Sequence, residues 1–499
     1  MSDKKVISRH FNLHAVWCVC LLGALSLSAS SIFAMDPLFT SQPVSATPAA
    51  TAVGDGHAGV CTFDALPSPL RLQDAIERAL CNHPKTRQAW ANVKIQAAAV
   101  GAGRAGFLPT LTGNWQGTRD NTTSQIAGYP QYNSNYRTNL QNASVSLSWV
   151  LYDFGGRLAA LRNASALLAA AQANQQATLE AVFATVAKNY YAAQAAQGAF
   201  STAREVEQTA RDSLRAASAR VDKGVAAISD QLQAQTSYAE AVVNRTKAEG
   251  EWQSALGLLA SDMKLSPNAA ITLPDVGDGV APDNEFGESV AELIAQAERT
   301  HPSVAAAQAQ IDVARAKADQ TRAEGLPRLS LVAQFNYNNQ PTSLQLGYPV
   351  LPASRREWYL GFQLTIPIFE GFARTYQVRQ ANAQIEWQRG AFDEARQQIG
   401  LDVWIGYQAL QSATKNLEHS ATLREIALRS YDAAQQRYQM GVGNILELLN
   451  TQSSLAEAKL QRIQALTDWR SARLQLAAKL GKLGMWRLTS SEQSRGQGV

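Results

Sequence analysis

Gly101-Ala102-Gly103-Arg104-Ala105-Gly106 has the glycine spacing that lets backbone amides approach the pyrophosphate of a dinucleotide. That chemistry needs a strand before the glycines and a helix after them. Here a helical stretch precedes them and Leu108-Pro109 follows, so nucleotide binding is not expected. Six histidines occur and three of them lie before residue 60. His83 and His301 each precede a proline at a predicted helix start, which is a structural position. No His, Cys and carboxylate grouping has metal-ligand spacing, and no nucleophile and base can be matched. The sequence therefore calls for no metal, no cofactor and no enzyme activity. Two features remain. Cys61 and Cys81 suggest a disulfide if the chain is exported, with two buried thiols as the alternative. Glu447 lies six residues after Gly441 at the start of a predicted helix, where the local dipole favours a carboxylate. Asn450, about one helical turn on, adds no second charge.

The elements that carry these residues are written twice. His83-Pro84 recurs as His301-Pro302, Arg104-Ala105 as Arg322-Ala323, and Leu108-Pro109 as Leu326-Pro327, all 218 positions on. Farther along the offset is 217: Arg157 matches Arg374, Arg220 matches Arg437, Gly224-Val225 matches Gly441-Val442, and Trp252 matches Trp469. The single length change thus falls between Pro109 and Arg157. Each copy reads as a helix beginning near His-Pro, two extended segments, a very long helix (about 156–222 and 374–439), a Gly-Val turn and a return helix (about 228–263 and 445–482). The long helices lack proline and are rich in Ala, Gln, Leu, Glu and Arg. At 1.5 Å per residue each spans roughly 100 Å. Helices of that length pack along one another as a coiled-coil-like bundle.

The extended segments alternate with period two. Along 142–151, Val145, Leu147 and Trp149 share a face opposite Ser144, Ser146 and Ser148. Along 356–368, Trp358, Leu360, Phe362, Leu364 and Ile366 share another, and 327–338 and the weaker 109–120 behave alike. About ten residues with one apolar and one polar face suits a tilted membrane strand. Four strands cannot close a barrel, and open edges are not tolerated in hydrocarbon, so several chains must contribute. A lumen wide enough for transport favours three chains and twelve strands.

Residues 1–34 read as a secretory signal. Lys4, Lys5 and Arg9 precede a short apolar run at 15–27, with cleavage expected after Ala34. Residues 35–70, with five prolines, read as a flexible leader. Residues 71–270 and 288–483 form the two structural repeats, and 484–499 a frayed tail. A formal charge of +4 on 499 residues gives no case for nucleic acid, and 46% hydrophobic residues exclude a wholly disordered chain.

This α+β organisation resembles the TolC family of outer-membrane channels. The resemblance rests on the repeated Leu-Pro, on Leu151-Tyr152-Asp153-Phe154-Gly155-Gly156-Arg157, and on the turns at 223–230 and 438–447. It implies a homotrimer with a twelve-stranded outer-membrane β-barrel, continued by a helical tunnel through the periplasm with a closable tip. A periplasmic adaptor and an inner-membrane ABC or RND transporter would dock there. Tyr438 and Asp230 stand at the family's lock tyrosine and aspartate. The basic lock position is Gly443, and the two acidic entrance positions are Glu447 and Asn450. Gly224, Gly441 and Gly443 mark the hairpin turns. Three copies of Glu447 would then ring the tunnel mouth. The paired cysteines and Leu80-Cys81-Asn82-His83-Pro84 resemble the channels of toxin exporters of the adenylate cyclase-haemolysin type, so type I protein secretion is favoured. Multidrug efflux is the alternative within the family. A periplasmic coiled-coil adaptor is the alternative of another class, although it would have one hairpin and soluble β-domains.

Overall fold

The computed structural model describes residues 36–49, 61, 63–276, 289–340 and 353–481. The signal at 1–34, the tail at 484–499 and residues 341–352, between the extended segments 327–338 and 356–368, lie outside the described residues. Copy one comprises α1 (Leu72–Asn82), α2 (Pro84–Ala105), β1 (Thr110–Ser124), β2 (Ser134–Tyr152), α3 (Gly156–Asp222) and α4 (Ile228–Asp262). Copy two comprises α5 (Val290–Thr300), α6 (Pro302–Ala323), β3 (Arg328–Asn338), β4 (Arg355–Thr365), α7 (Ala373–Gln439) and α8 (Ile445–Lys479). The long helices have 67 residues each and the return helices 35 each. The length difference between copies is therefore confined to the strand region, where the change of offset places it.

Local chemistry sets the helix ends. Nδ1 of His301 accepts from the Ser303 amide at 3.1 Å, and Pro302 occupies the first helical turn of α6. His83 does the same for the Lys85 amide at 3.1 Å. At the start of α3, Phe154 and Gly155 are both left-handed (φ 51° and 93°), and Asp153 accepts from the Arg157 amide at 2.7 Å. The start of α7 uses the reversed pair Gly371 and Phe372 (φ 60° and 63°).

The chain divides into two compact units. The first holds the sheet, in the order β1-β2-β3-β4. β1 and β2 are antiparallel, with Leu111 opposite Leu147, Gly113 opposite Val145 and Trp115 opposite Ala143 on one face. Thr112 opposite Ser146 and Asn114 opposite Ser144 lie on the other. The apolar face stops there. Gly117 to Ser124 still pair with Gln141 to Ser134, but β1 contributes no apolar side chain to either face of that extension. This corrects the expected strand ends at 120 and 142: most of the segment between them is ladder, and only 125–133 turns. Without period-two alternation, Thr, Asn, Ser and Arg gave no strand signal.

The second unit is helical. Ile76 and Ala79 of α1 pack with Leu179, Val186 and Tyr190 of α3 and Leu259 of α4. In copy two, Leu293 and Ala297 of α5 pack with Ile399 and Val403 of α7 and Leu476 of α8. Parts of the 35–70 leader dock on these helices. The Leu70 amide donates to the Thr272 carbonyl at 2.8 Å, Tyr190 Oη donates to the Leu70 carbonyl at 3.0 Å, and Trp90 Nε1 donates to the Ser45 carbonyl at 2.9 Å. Among the described residues no helix is long and apolar enough to cross a membrane.

Candidate functional site: the paired hairpin turns

Both turns end a long helix with a left-handed glycine, the residue that adopts this conformation without strain. After α3, Gly224 has φ +71°, and the Val225 amide donates to the Arg220 carbonyl at 2.9 Å. After α7, Gly441 has φ +80°, and the Val442 amide donates to the Arg437 carbonyl at 3.1 Å. The second turn is tighter. The Gly443 amide also reaches the Arg437 carbonyl, at 3.0 Å. A Cβ on Gly443 would lie 2.7 Å from the Tyr438 nitrogen and 2.9 Å from the Arg437 carbonyl carbon. Those are backbone atoms and cannot step aside, so this conformation has no room for a basic side chain there. Asn444 then caps α8, accepting from the Leu446 amide at 2.9 Å.

The duplication pairs Arg220 with Arg437 and Asp230 with Glu447, yet the two arginines have different partners. Arg437 Nη1 lies 3.2 Å from Glu447 Oε1, an exposed ion pair. Arg220 turns to the other hairpin. Its Nη1 donates to the Tyr438 carbonyl at 3.0 Å, and its guanidinium carbon sits 4.7 Å from the centre of the Tyr438 ring. Tyr438 is 6% exposed and packs with Ile445 and Leu448. Its hydroxyl has no hydrogen-bond partner among the described residues, so Asp230 does not reach it within the chain. Asp230 occupies the first turn of α4, where Ser229 Oγ donates to it at 3.4 Å. Asn450 is exposed, and its carbonyl accepts from Ser454 Oγ at 3.0 Å.

The site thus joins Glu447 to Arg437 and Tyr438 to Arg220, and leaves Asp230 and Asn450 apart from both pairs. Sequence reasoning missed Arg220 as a site residue. Its match to Arg437 at offset 217 was the available signal, but the match gives equivalence and not the partner. Away from the turns, Cys61 and Cys81 are joined by a disulfide, with Cα atoms 5.6 Å apart. Arg78 Nη2 donates to the Asp64 carbonyl at 2.7 Å beside it.

The family model described as outer membrane efflux protein matches residues 75–261 and 293–482. Protein CyaE of Bordetella pertussis is 32% identical over 417 residues, covering 83% of this chain and 85% of that one. A probable efflux pump outer membrane protein of Pseudomonas putida, TtgC, is 24% identical over 422 residues, covering 82% of each. Among solved structures, the outer membrane protein VceC of Vibrio cholerae superposes with a TM-score of 0.67 at 18% identity, over 82% of this chain and 96% of that one. The CmeC outer membrane channel of Campylobacter jejuni gives 0.69 at 16% identity, over 82% and 85%.

Proposed function

The chain belongs to the outer membrane efflux protein family, and from that premise we propose that three copies close one twelve-stranded barrel and serve a type I secretion system exporting a protein. The observation that carries the assembly is the pair of open sheet edges. Among the described residues β1 and β4 each have a strand neighbour on one side only. Their faces expose Leu111, Trp115, Trp358 and Phe362 at 71, 72, 75 and 72%. Hydrocarbon accepts these side chains but not unpaired backbone groups, so β4 of one copy pairs with β1 of the next until the ring closes. The barrel lies in outer-membrane lipid, the helices lie in the periplasm, and the hairpin turns form the entrance. A periplasmic adaptor and an inner-membrane ABC transporter complete the system.

Protein cargo is favoured by the likeness to CyaE, which at 32% exceeds the 24% to TtgC. The multidrug reading, with an RND pump in place of the ABC transporter, rests on relatives such as TtgC. Deleting the gene separates the two readings. Under type I secretion a specific protein disappears from the culture medium and drug susceptibility is unchanged. Increased susceptibility with an intact set of secreted proteins overturns the cargo assignment. Mass measurement of the detergent-solubilised protein tests the assembly, and a stable membrane-inserted monomer overturns it.

A further inference from the structure

Glu180 of α3 is 3% exposed, and among the described residues neither carboxylate oxygen has a hydrogen bond of good geometry, only a weak one from the Gln176 amide on the same helix. It faces His301, 8% exposed, with Oε2 3.6 Å from Nε2. That is ion-pair range but too long for a hydrogen bond. Gly481, just after α8, closes the joint. Its φ is +71°, and a Cβ there would lie 3.3 Å from Pro302 Cδ and 3.7 Å from Glu180 Oε1. Copy one and copy two of the repeat meet at this point, through α3 on one side and the start of α6 and end of α8 on the other.

Helix capping does not account for the carboxyl. His83 makes the same cap as His301, but the counterpart of Glu180 in copy two is the uncharged Gln397. The cap does fix the proton on His301. Nδ1 accepts from the Ser303 amide, so the neutral ring carries its hydrogen on Nε2, on the side of Glu180. Charging the ring would place a hydrogen on Nδ1 and break the cap. Burial holds the imidazole below its usual range, opposed by the Asp402 carboxylate on α7. Burial pushes Glu180 up to about 7, opposed by the smaller effect of the Gln176 amide on α3. Each group therefore resists charge in this setting.

We propose that Glu180 and His301 form a proton-operated joint between the two repeats, tight while Glu180 is protonated and loosened when it ionises. A carboxyl raised in the folded state contributes stability that is present below its ordinary 4.5 and lost as pH rises through about 7. His301, lowered in the folded state, acts oppositely and costs stability as pH falls through its ordinary 6.5.

The test is thermal unfolding of the full chain in detergent from about pH 5 to about pH 9, a range that spans both groups. Glu180→Gln keeps the shape without the charge. Its gain in melting temperature over the parent should widen as pH rises through neutrality. His301→Asn keeps an acceptor for the Ser303 amide, and its stability relative to the parent should rise as pH falls. Infrared difference spectra should show a protonated-carboxyl band near neutral pH that Glu180→Gln removes. A melting-temperature gap independent of pH, or spectra without that band, overturns the joint. If Glu180→Gln fails to assemble, the band and its loss on raising the pH are read in Asp468→Asn, which removes the other carboxyl that burial raises.

Discussion

The guanidinium of Arg220 lies 4.7 Å from the ring centre of Tyr438 and donates to the same residue's carbonyl at 3.0 Å. The two residues come from different copies of the repeat, so this contact ties the end of α3 to the end of α7. Here Arg437 takes the carboxylate at the start of its own return helix, whereas Arg220 crosses to the neighbouring hairpin.

If the hairpins part when the entrance opens, Arg220→Ala should favour the open form. A cation–π contact and one hydrogen bond together contribute about 1–2 kcal/mol, roughly tenfold in a two-state ratio. Single-channel recordings should show more frequent high-conductance openings. Arg220→Lys keeps the charge but loses the planar stack, and should fall between the parent and Ala. Identical opening frequencies for Arg220→Ala and the parent would mean the contact only packs the turn.

Three copies of Glu447 would supply the expected negative ring, but Arg437 sits 3.2 Å from the carboxylate. In planar bilayers Glu447→Ala should lower cation preference modestly, because the pairing and the uncharged Asn450 both dilute the effect. Arg437→Ala should move preference the other way by unmasking the carboxylate. Both effects should fade at high salt, where exposed charges are screened. Equal selectivity in the two variants at low salt would remove Glu447 from the conduction path.

The contrast between elements explains what the sequence could reveal. Long helices and turns were legible because the 218 and 217 offsets repeat them, and Gly224 and Gly441 mark where each helix must reverse. Apolar strand faces were legible through alternation. The polar ladder from Gly117 to Ser124 was not, since nothing in it contrasts one face with the other. Nor was the Glu180–His301 joint, which depends on Gly481 arriving from the far end of the chain. The space that Gly443 must leave empty is likewise a property of the folded turn, where Tyr438 and Arg437 backbone atoms crowd it.

The Cys61–Cys81 bridge closes a loop with a sequence separation of 20. Replacing both cysteines by serine should cost about 3 kcal/mol on a chain-entropy estimate, and less if the segment is already restrained in the unfolded chain. The measured quantity is the melting temperature of the mature protein with and without reductant. A drop seen in the parent and absent from the double variant supports the bridge. Free thiols at both cysteines in oxidised, denatured protein would exclude it.

Copies should meet along the helices through a contact that the chain already makes internally. Inside the chain, α6 packs on α3, and Asn163 Nδ2 donates to the Val313 carbonyl at 3.0 Å. Ala159 and Ala170 of α3 are 3 and 1% exposed. Their counterparts on α7 are Tyr376 and Trp387, 65 and 64% exposed in the single chain. The duplication makes α2 the counterpart of α6, so α2 of a neighbouring copy should cover this face of α7, as α6 covers α3. Asn163 corresponds to Gln380, and Val313 to Ile95, itself 62% exposed. Cysteines at Gln380 and Ile95 should therefore cross-link between copies under mild oxidation, giving covalent dimers and trimers on denaturing gels. Either cysteine alone should give no such ladder. Failure of the pair to link in a heat-labile trimer would show that copies meet through a different helix face, and the internal contact of α3 with α6 would then not be the template for assembly.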